Sequence, residues 1–326
     1  MTRRGWVLFT LMSVIWGIPY LLIKVADGGV SVPVLVFART GIGALMLLPL
    51  ALRRREVRAV RAHWRWLVVF ATVEVILPWV LLSDAERRLP SSLTGTLIAS
   101  VPIMGAVFAR LTSDSDRLTV VRWVGLALGL GGVVLLAGPT ARGGDAWAVT
   151  EVLLTALGYS IGPLIASRKL SAAPSLGVNA VCLSLATVVY APFAALTWPH
   201  VMPDGSVIAS IVALGVVCTG AAFVLFFRLI AEVGPARATV ITYVNPAVAV
   251  ALGVAVLGER LTPAIAASFV LIVAGSFFAT RPGHAAPPEH RAEQPEERAG
   301  RPEEMVQKRP GEPASLLAPT PSGDAD

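Results

Sequence analysis

The sequence predicts an all-α integral membrane protein of ten transmembrane helices, arranged as two inverted five-helix repeats with a disordered C-terminal tail. Three observations carry that expectation. The 326 residues are 55% hydrophobic and only 15% charged, with a mean hydropathy of +0.71, whereas soluble domains carry about 25% charged residues. Apolar runs recur at roughly 20 residues, the length that crosses a bilayer as a helix, and too long for the buried strands of about 4–8 residues in a soluble α/β protein. Residues 88–119 and 232–262 repeat one pattern, with Pro102 and Pro246 144 residues apart and Asp116-Arg117-Leu118-Thr119 echoed by Glu259-Arg260-Leu261-Thr262. A fixed internal period of this kind governs how the whole chain is read.

The spans fall at 6–26, 31–52, 66–83, 92–110, 119–138, 147–166, 176–198, 206–230, 236–257 and 262–280. Turn-forming groups such as Asp27-Gly28-Gly29 and Pro203-Asp204-Gly205 separate them. The first run follows a basic start, Thr2-Arg3-Arg4, but it exceeds the 7–15-residue core of a signal peptide and no cleavage motif follows, so it reads as a retained span. Residues 6–138 form the first repeat and 147–280 the second; Pro19 and Pro163, and Lys24 and Arg168, also stand 144 residues apart. Five spans per copy put the second copy into the membrane upside down, an architecture common among secondary transporters, with the substrate at the repeat interface. From 281 to 326 the chain is rich in Pro, Glu and Arg and poor in aromatics. Such a segment buries too little apolar surface to offset its ordering entropy, and it reads as a disordered cytoplasmic tail.

The net charge of +6 does not point to nucleic acid, because the basic residues flank apolar runs. With the N-terminus inside, the inner loops hold the Arg53–Arg55 cluster, Arg58, Arg61, Arg65, Arg110, Arg117, Arg122, Arg168, Lys169, Arg228 and Arg237. The outer loops hold Arg87, Arg88, Arg142 and Arg260. That bias places both termini in the cytoplasm. The two cysteines, Cys182 and Cys218, lie inside apolar runs, which suits packing and argues against a disulfide framework or thiolate metal site.

The motifs resemble the drug/metabolite transporter superfamily, in particular its EamA-type members. The resemblance spans about residues 6–280. It rests on Trp16-Gly17, Tyr20 and Lys24 in the first span, Arg39 in the second, and Gly234-Pro235-Ala236-Arg237-Ala238 before the ninth. Pro246, the turn Leu257-Gly258-Glu259-Arg260-Leu261-Thr262 and the region of Gly275 complete it. In the first half the turn departs from the family pattern, with Asp116 in place of Glu and no Gly. The resemblance implies a bacterial inner-membrane carrier that moves amino acids, other metabolites or drug-like compounds, often outward. A membrane-embedded scaffold or sensor without transport activity is the alternative reading.

Polar and aromatic residues at depth nominate the substrate site. Glu74 is the one carboxylate deep in a span; an acid there is costly and faces the interior, as a proton-coupling group or in an ion pair with Arg39 or Lys24. Arg39 suits an anionic substrate group or, near an interface, snorkelling; Lys24 and Arg168, at span ends, are expected to snorkel. Trp16, Tyr20, Trp79 and Tyr159 lie within spans, where their polar tips need a partner that a cavity provides. Tyr243 and Asn245 precede the proline of the ninth span. Pro102 and Pro246 each remove a helical hydrogen bond at mid-span and are expected to break or hinge their helices beside the substrate. Trp6, Trp64, Trp66 and Trp198 fit the interfacial belts. Gly125, Gly129, Gly131 and Gly132 include a G-x-x-x-G spacing, which serves close helix packing within the chain or a homodimer contact.

The Glu259-Arg260 and Asp116-Arg117 turns read as surface connections. Gly158-Tyr159-Ser160-Ile161-Gly162 spells G-x-S-x-G, but it lies in an apolar span, and His63, His200, His284 and His290 all lie in loops or the tail; a hydrolase elbow needs a strand-turn-helix setting and His and acid partners. No enzyme, metal or nucleotide motif stands out. The expected partners are a small-molecule substrate and the bilayer, with no cofactor and a gradient as the energy source.

Overall fold

The computed structural model describes residues 2–111, 120–234, 238 and 240–279. The Asp116-Arg117 turn, Arg237 and the 281–326 tail lie outside the described residues. Among these residues the protein is all-helical, without a strand. Eight helices are long and apolar enough to cross a membrane. They are α1 (Arg3–Ala26), α2 (Val32–Arg53), α3 (Glu56–Glu86), α4 (Ser91–Phe108), α5 (Val120–Gly138), α6 (Gly143–Lys169), α7 (Ser175–Leu196) and α8 (Gly205–Val233). Two shorter apolar helices follow, α9 (Ile241–Leu257) and α10 (Pro263–Ala279). The multi-pass membrane character expected from composition is borne out.

Local chemistry sets where these helices start and deform. Pro33 occupies the first turn of α2, where its missing N–H costs nothing. Thr2 caps α1 by accepting from the Gly5 N–H at 2.9 Å. In α1, Arg3–Gly17 and Pro19–Ala26 are separate helical stretches joined at Ile18; the proline begins a new first turn. In α4 the stretches Ser91–Ile98 and Val101–Leu111 are interrupted at Ala99-Ser100, so the break falls just before Pro102. Pro246 behaves differently: it is buried within the continuous helical run Ile241–Leu257, and the helix is not interrupted there. Of the three π-helical turns among the described residues, two lie in mid-helix, Thr72–Ile76 in α3 and Val216–Ala221 in α8. Glu74 lies in the first and Cys218, 144 residues later, in the second. Such single π turns recur at functional sites.

The largest helix interfaces join α5 to α10, α2 to α7, α3 to α6 and α1 to α8, and α4 packs on α9. Lipid offers apolar side chains no reason to leave it, so close approach and dispersion hold such helices together. The α5–α10 contact shows how. A Cβ on Gly129 or Gly125 would collide with the backbone or side chains that α10 and Ile103 bring against them, and one on Gly275 would collide with the Gly129 backbone. The G-x-x-x-G spacing is thus used inside the chain. Hydroxyls deep in the bundle satisfy themselves locally: Thr40 donates to the Val36 carbonyl at 2.8 Å and Thr96 to that of Ser92 at 2.7 Å.

Candidate functional site

A cavity of about 290 Å³ lies between helices of both halves, walled by α1, α2, α3, α4, α6, α8 and α9. Trp16, Tyr20, Arg39, Glu74, Trp79, Tyr159 and Asn245 all line it. Seven of the eight residues nominated from the sequence as substrate contacts are therefore gathered around one space. Tyr243 is not among them. It lies on α9, and its hydroxyl donates to the Ser276 carbonyl of α10 at 3.3 Å. Neither Pro102 nor Pro246 lines the cavity, although Val101 does.

Each polar group at the cavity has a structural cause. Arg39 is buried on α2, its guanidinium 3.8 Å from the centre of the Trp79 ring. Its Nε donates to Thr219 Oγ1 at 3.1 Å. Thr219 sits in the α8 π turn and donates onward to the Leu214 carbonyl, five residues back, at 2.8 Å. The cation is thereby held over an aromatic face, an attraction that strengthens when water is excluded. No ion pair joins Arg39 or Lys24 to Glu74 among the described residues. Lys24 donates instead to the carbonyls of Glu86, the last residue of α3, and of Leu89 in the turn after it, so its ammonium turns inward rather than snorkelling.

Glu74 projects from the π turn of α3, and its Oε2 is buried without a hydrogen-bond partner. Facing it is Gly162 on α6, where any Cβ would overlap the carboxylate. The turn is held by Tyr190, whose hydroxyl donates to the Ile76 carbonyl at 2.8 Å. Trp16 packs against Phe226, with ring centres 4.7 Å apart, and against Phe223 at 6.3 Å. The Asn245 amide nitrogen donates to the carbonyls of Ile241 at 2.9 Å and Ser13 at 3.1 Å, tying α9 to α1.

The sequence reading missed Pro19, Pro163, Cys218, Phe223 and Phe226, which also line the cavity. A signal was present for three of them: Pro19 and Pro163 are paired at the internal period, and Cys218 is the period partner of Glu74. Apolar Phe residues in an apolar helix carry no such mark.

Beyond the cavity, a polar cluster gathers at the ends of α1, α3 and α9 and the start of α6. Glu259, read from sequence as a surface turn, accepts from the Ser91 N–H at 2.7 Å and the Ser92 N–H at 2.9 Å, and so caps α4 from a distant turn. Arg88 pairs with Asp84 and Glu151, each at 2.5 Å. Glu86 is fully buried and accepts from Ser91 Oγ at 2.8 Å. Asp27, in the turn after α1, has both carboxylate oxygens buried without partners. Burial pushes its carboxyl up to about 7, with Asp84 adding to the shift and Arg87 and Lys24 opposing it. Among the described residues no cluster of His, Cys, Asp or Glu could hold a metal ion.

The sequence profile of the EamA-like transporter family matches this chain twice, over residues 3–138 and 146–281. The chain belongs to the EamA-like transporter family. Its relatives include an uncharacterized inner membrane transporter of Escherichia coli, YedA, 26% identical over 255 residues and covering 77% of this chain and 82% of the relative. They also include an uncharacterized transporter of Bacillus subtilis, YvbV, 25% identical over 282 residues, 83% of this chain and 89% of the relative. A solved crystal structure superposes with a TM-score of 0.61 at 23% identity, covering 86% of this chain and 98% of the other, and shows a shared fold alone. Family and relatives together make this a multi-pass membrane transporter.

Proposed function

We propose that this protein is a secondary transporter that exports small zwitterionic metabolites, amino acids among them, through the cavity between its halves. One observation carries the reading. The cavity holds a cation and an acid that do not neutralise each other: Arg39 is clamped by Trp79 and Thr219, while Glu74 is set apart on its π turn with an oxygen unpartnered. A molecule carrying both a carboxylate and an ammonium group satisfies both, and the rings of Trp16, Tyr20 and Tyr159 suit its apolar part. Glu74 then also serves as the site through which a proton gradient acts on the cycle.

The ten helices act as two inverted repeats, 6–138 and 147–280, rocking about the cavity, with both termini cytoplasmic. The doubled profile match, the packing of α2 on α7, α4 on α9 and α5 on α10, and the two π turns one period apart all support that arrangement. The excess of Arg and Lys on the N-terminal side supports the orientation.

The test is reconstitution in proteoliposomes and counterflow of radiolabelled amino acids. Flux that saturates and falls in Arg39→Gln supports the reading; no flux of any zwitterion overturns it. A chain lacking residues 282–326 separates the scaffold alternative, since a transporter keeps its flux without the tail.

A further inference from the structure

We propose that the turn between α2 and α3 is a binding site for the phosphate headgroup of an anionic membrane lipid. A second cavity, of about 380 Å³, is lined by Leu52, Arg55, Val57, Arg58 and Arg61. All three arginines are exposed, and among the described residues none of their guanidinium groups makes an ion pair or hydrogen bond. The segment 52–61 contains one acid, Glu56, and it is turned away: its Oε2 accepts from the Gly177 N–H at the start of α7 at 2.9 Å. The positive charge of the cavity is therefore uncompensated. Arg55 is the only non-glycine among the described residues with a left-handed backbone, φ 58°. A bulky side chain seldom takes that conformation, and here it folds the chain back so that Arg55, Arg58 and Arg61 share one concavity.

The surroundings fit a lipid rather than a free anion. Leu52 and Val57 supply an apolar wall, and Trp64 stands exposed nearby with the Arg65 guanidinium 5.5 Å from its ring centre. Trp66 is met in the same way by Lys169 at 5.1 Å. Such pairs of Trp with Arg or Lys mark headgroup depth. Guanidinium groups bind phosphate oxygens in pairs, and basic pockets beside transmembrane helices recognise anionic headgroups. One internal period later the corresponding positions are Leu196, Pro199, Val201, Met202 and Gly205. The charge thus belongs to one face of the membrane and is no requirement of this type of connection. The site rests on the cytoplasmic placement of that face, where anionic lipids are available.

The experiment is native mass spectrometry of the full chain in detergent, titrated with phosphatidylglycerol, cardiolipin and phosphatidylcholine. Headgroup preference is read there whichever side faces the cytoplasm, so its failure is distinct from failure of the orientation. The native protein should retain the anionic lipids selectively, and each of Arg55→Gln, Arg58→Gln and Arg61→Gln should weaken retention about fivefold. Arg3→Gln/Arg4→Gln/Arg228→Gln, which removes three exposed charges elsewhere, should leave it unchanged. Equal retention of phosphatidylcholine, an undiminished preference in all three single variants, or equal loss in the control overturns the site. Displacement of the lipid by millimolar inorganic phosphate assigns the pocket to a free anion and overturns the lipid.

Discussion

The Arg39 guanidinium lies 3.8 Å from the centre of the Trp79 ring, inside a cavity that also holds the unpaired carboxyl of Glu74. Trp79 does for Arg39 what an acid would otherwise do. It stabilises the buried cation while leaving guanidinium N–H groups for a substrate, because a ring face accepts no directional salt bridge. Arg39→Lys keeps the charge but loses the planar group that stacks and donates in pairs. Affinity for a zwitterionic substrate, read by thermal shift of the purified protein, should fall about tenfold. An unchanged affinity would remove Arg39 from the binding site.

Glu74→Gln keeps the shape of the side chain and removes its capacity to carry charge and exchange a proton. Uptake into reconstituted vesicles should lose its dependence on an imposed pH gradient, while facilitated exchange of substrate persists. Proton dependence equal to that of the native chain would count against Glu74 as the coupling site.

Gly162→Ala tests the same carboxyl from the opposite helix. A methyl group there overlaps the Glu74 side chain, so the acid must move. The variant should insert and fold, yet show the coupling defect of Glu74→Gln. Native coupling in Gly162→Ala would mean that the position of the carboxyl does not matter.

Glu259 closes the start of α4 by accepting two backbone N–H groups. Glu259→Ala leaves both without that partner and should cost about 1–2 kcal/mol, the range of a lost helix cap. Thermal unfolding in detergent should show a lowered midpoint, with Glu259→Gln falling between the two. A midpoint equal to that of the native chain would show that water replaces the cap at no cost.

Asp27 gives stability an unusual pH dependence. Its folded-state carboxyl is raised by burial to about 7, above its ordinary value of 3.8. The folded chain therefore holds a proton that the unfolded chain releases, and stability falls as pH rises from about 4 to 7. The melting midpoint should drop by a few degrees across that window, and Asp27→Asn should flatten the drop. A profile that is the same in both proteins would place the effect elsewhere.

Most of the polar and Trp lining of the cavity was legible because the membrane makes such residues conspicuous. An Arg, a Glu or a Tyr in an apolar run is costly unless it faces an interior space, so seven of the nominated residues proved to share one. Tyr243 obeys the same rule differently, since its hydroxyl is satisfied by a neighbouring helix. Only the packing distinguishes those two solutions.

The sequence by itself determined the membrane class, the run of ten apolar segments and the internal period of 144 residues. Each is written locally, in hydrophobic length and in repetition. The tertiary structure decided which helix ends are capped across 121 or 168 residues, by Glu56 and Glu259, and where the helices widen into π turns. It also decided that Glu56 turns away and leaves three arginines facing one concavity. These outcomes depend on which helices meet, and a side chain's partner is set by that meeting rather than by its neighbours in the chain.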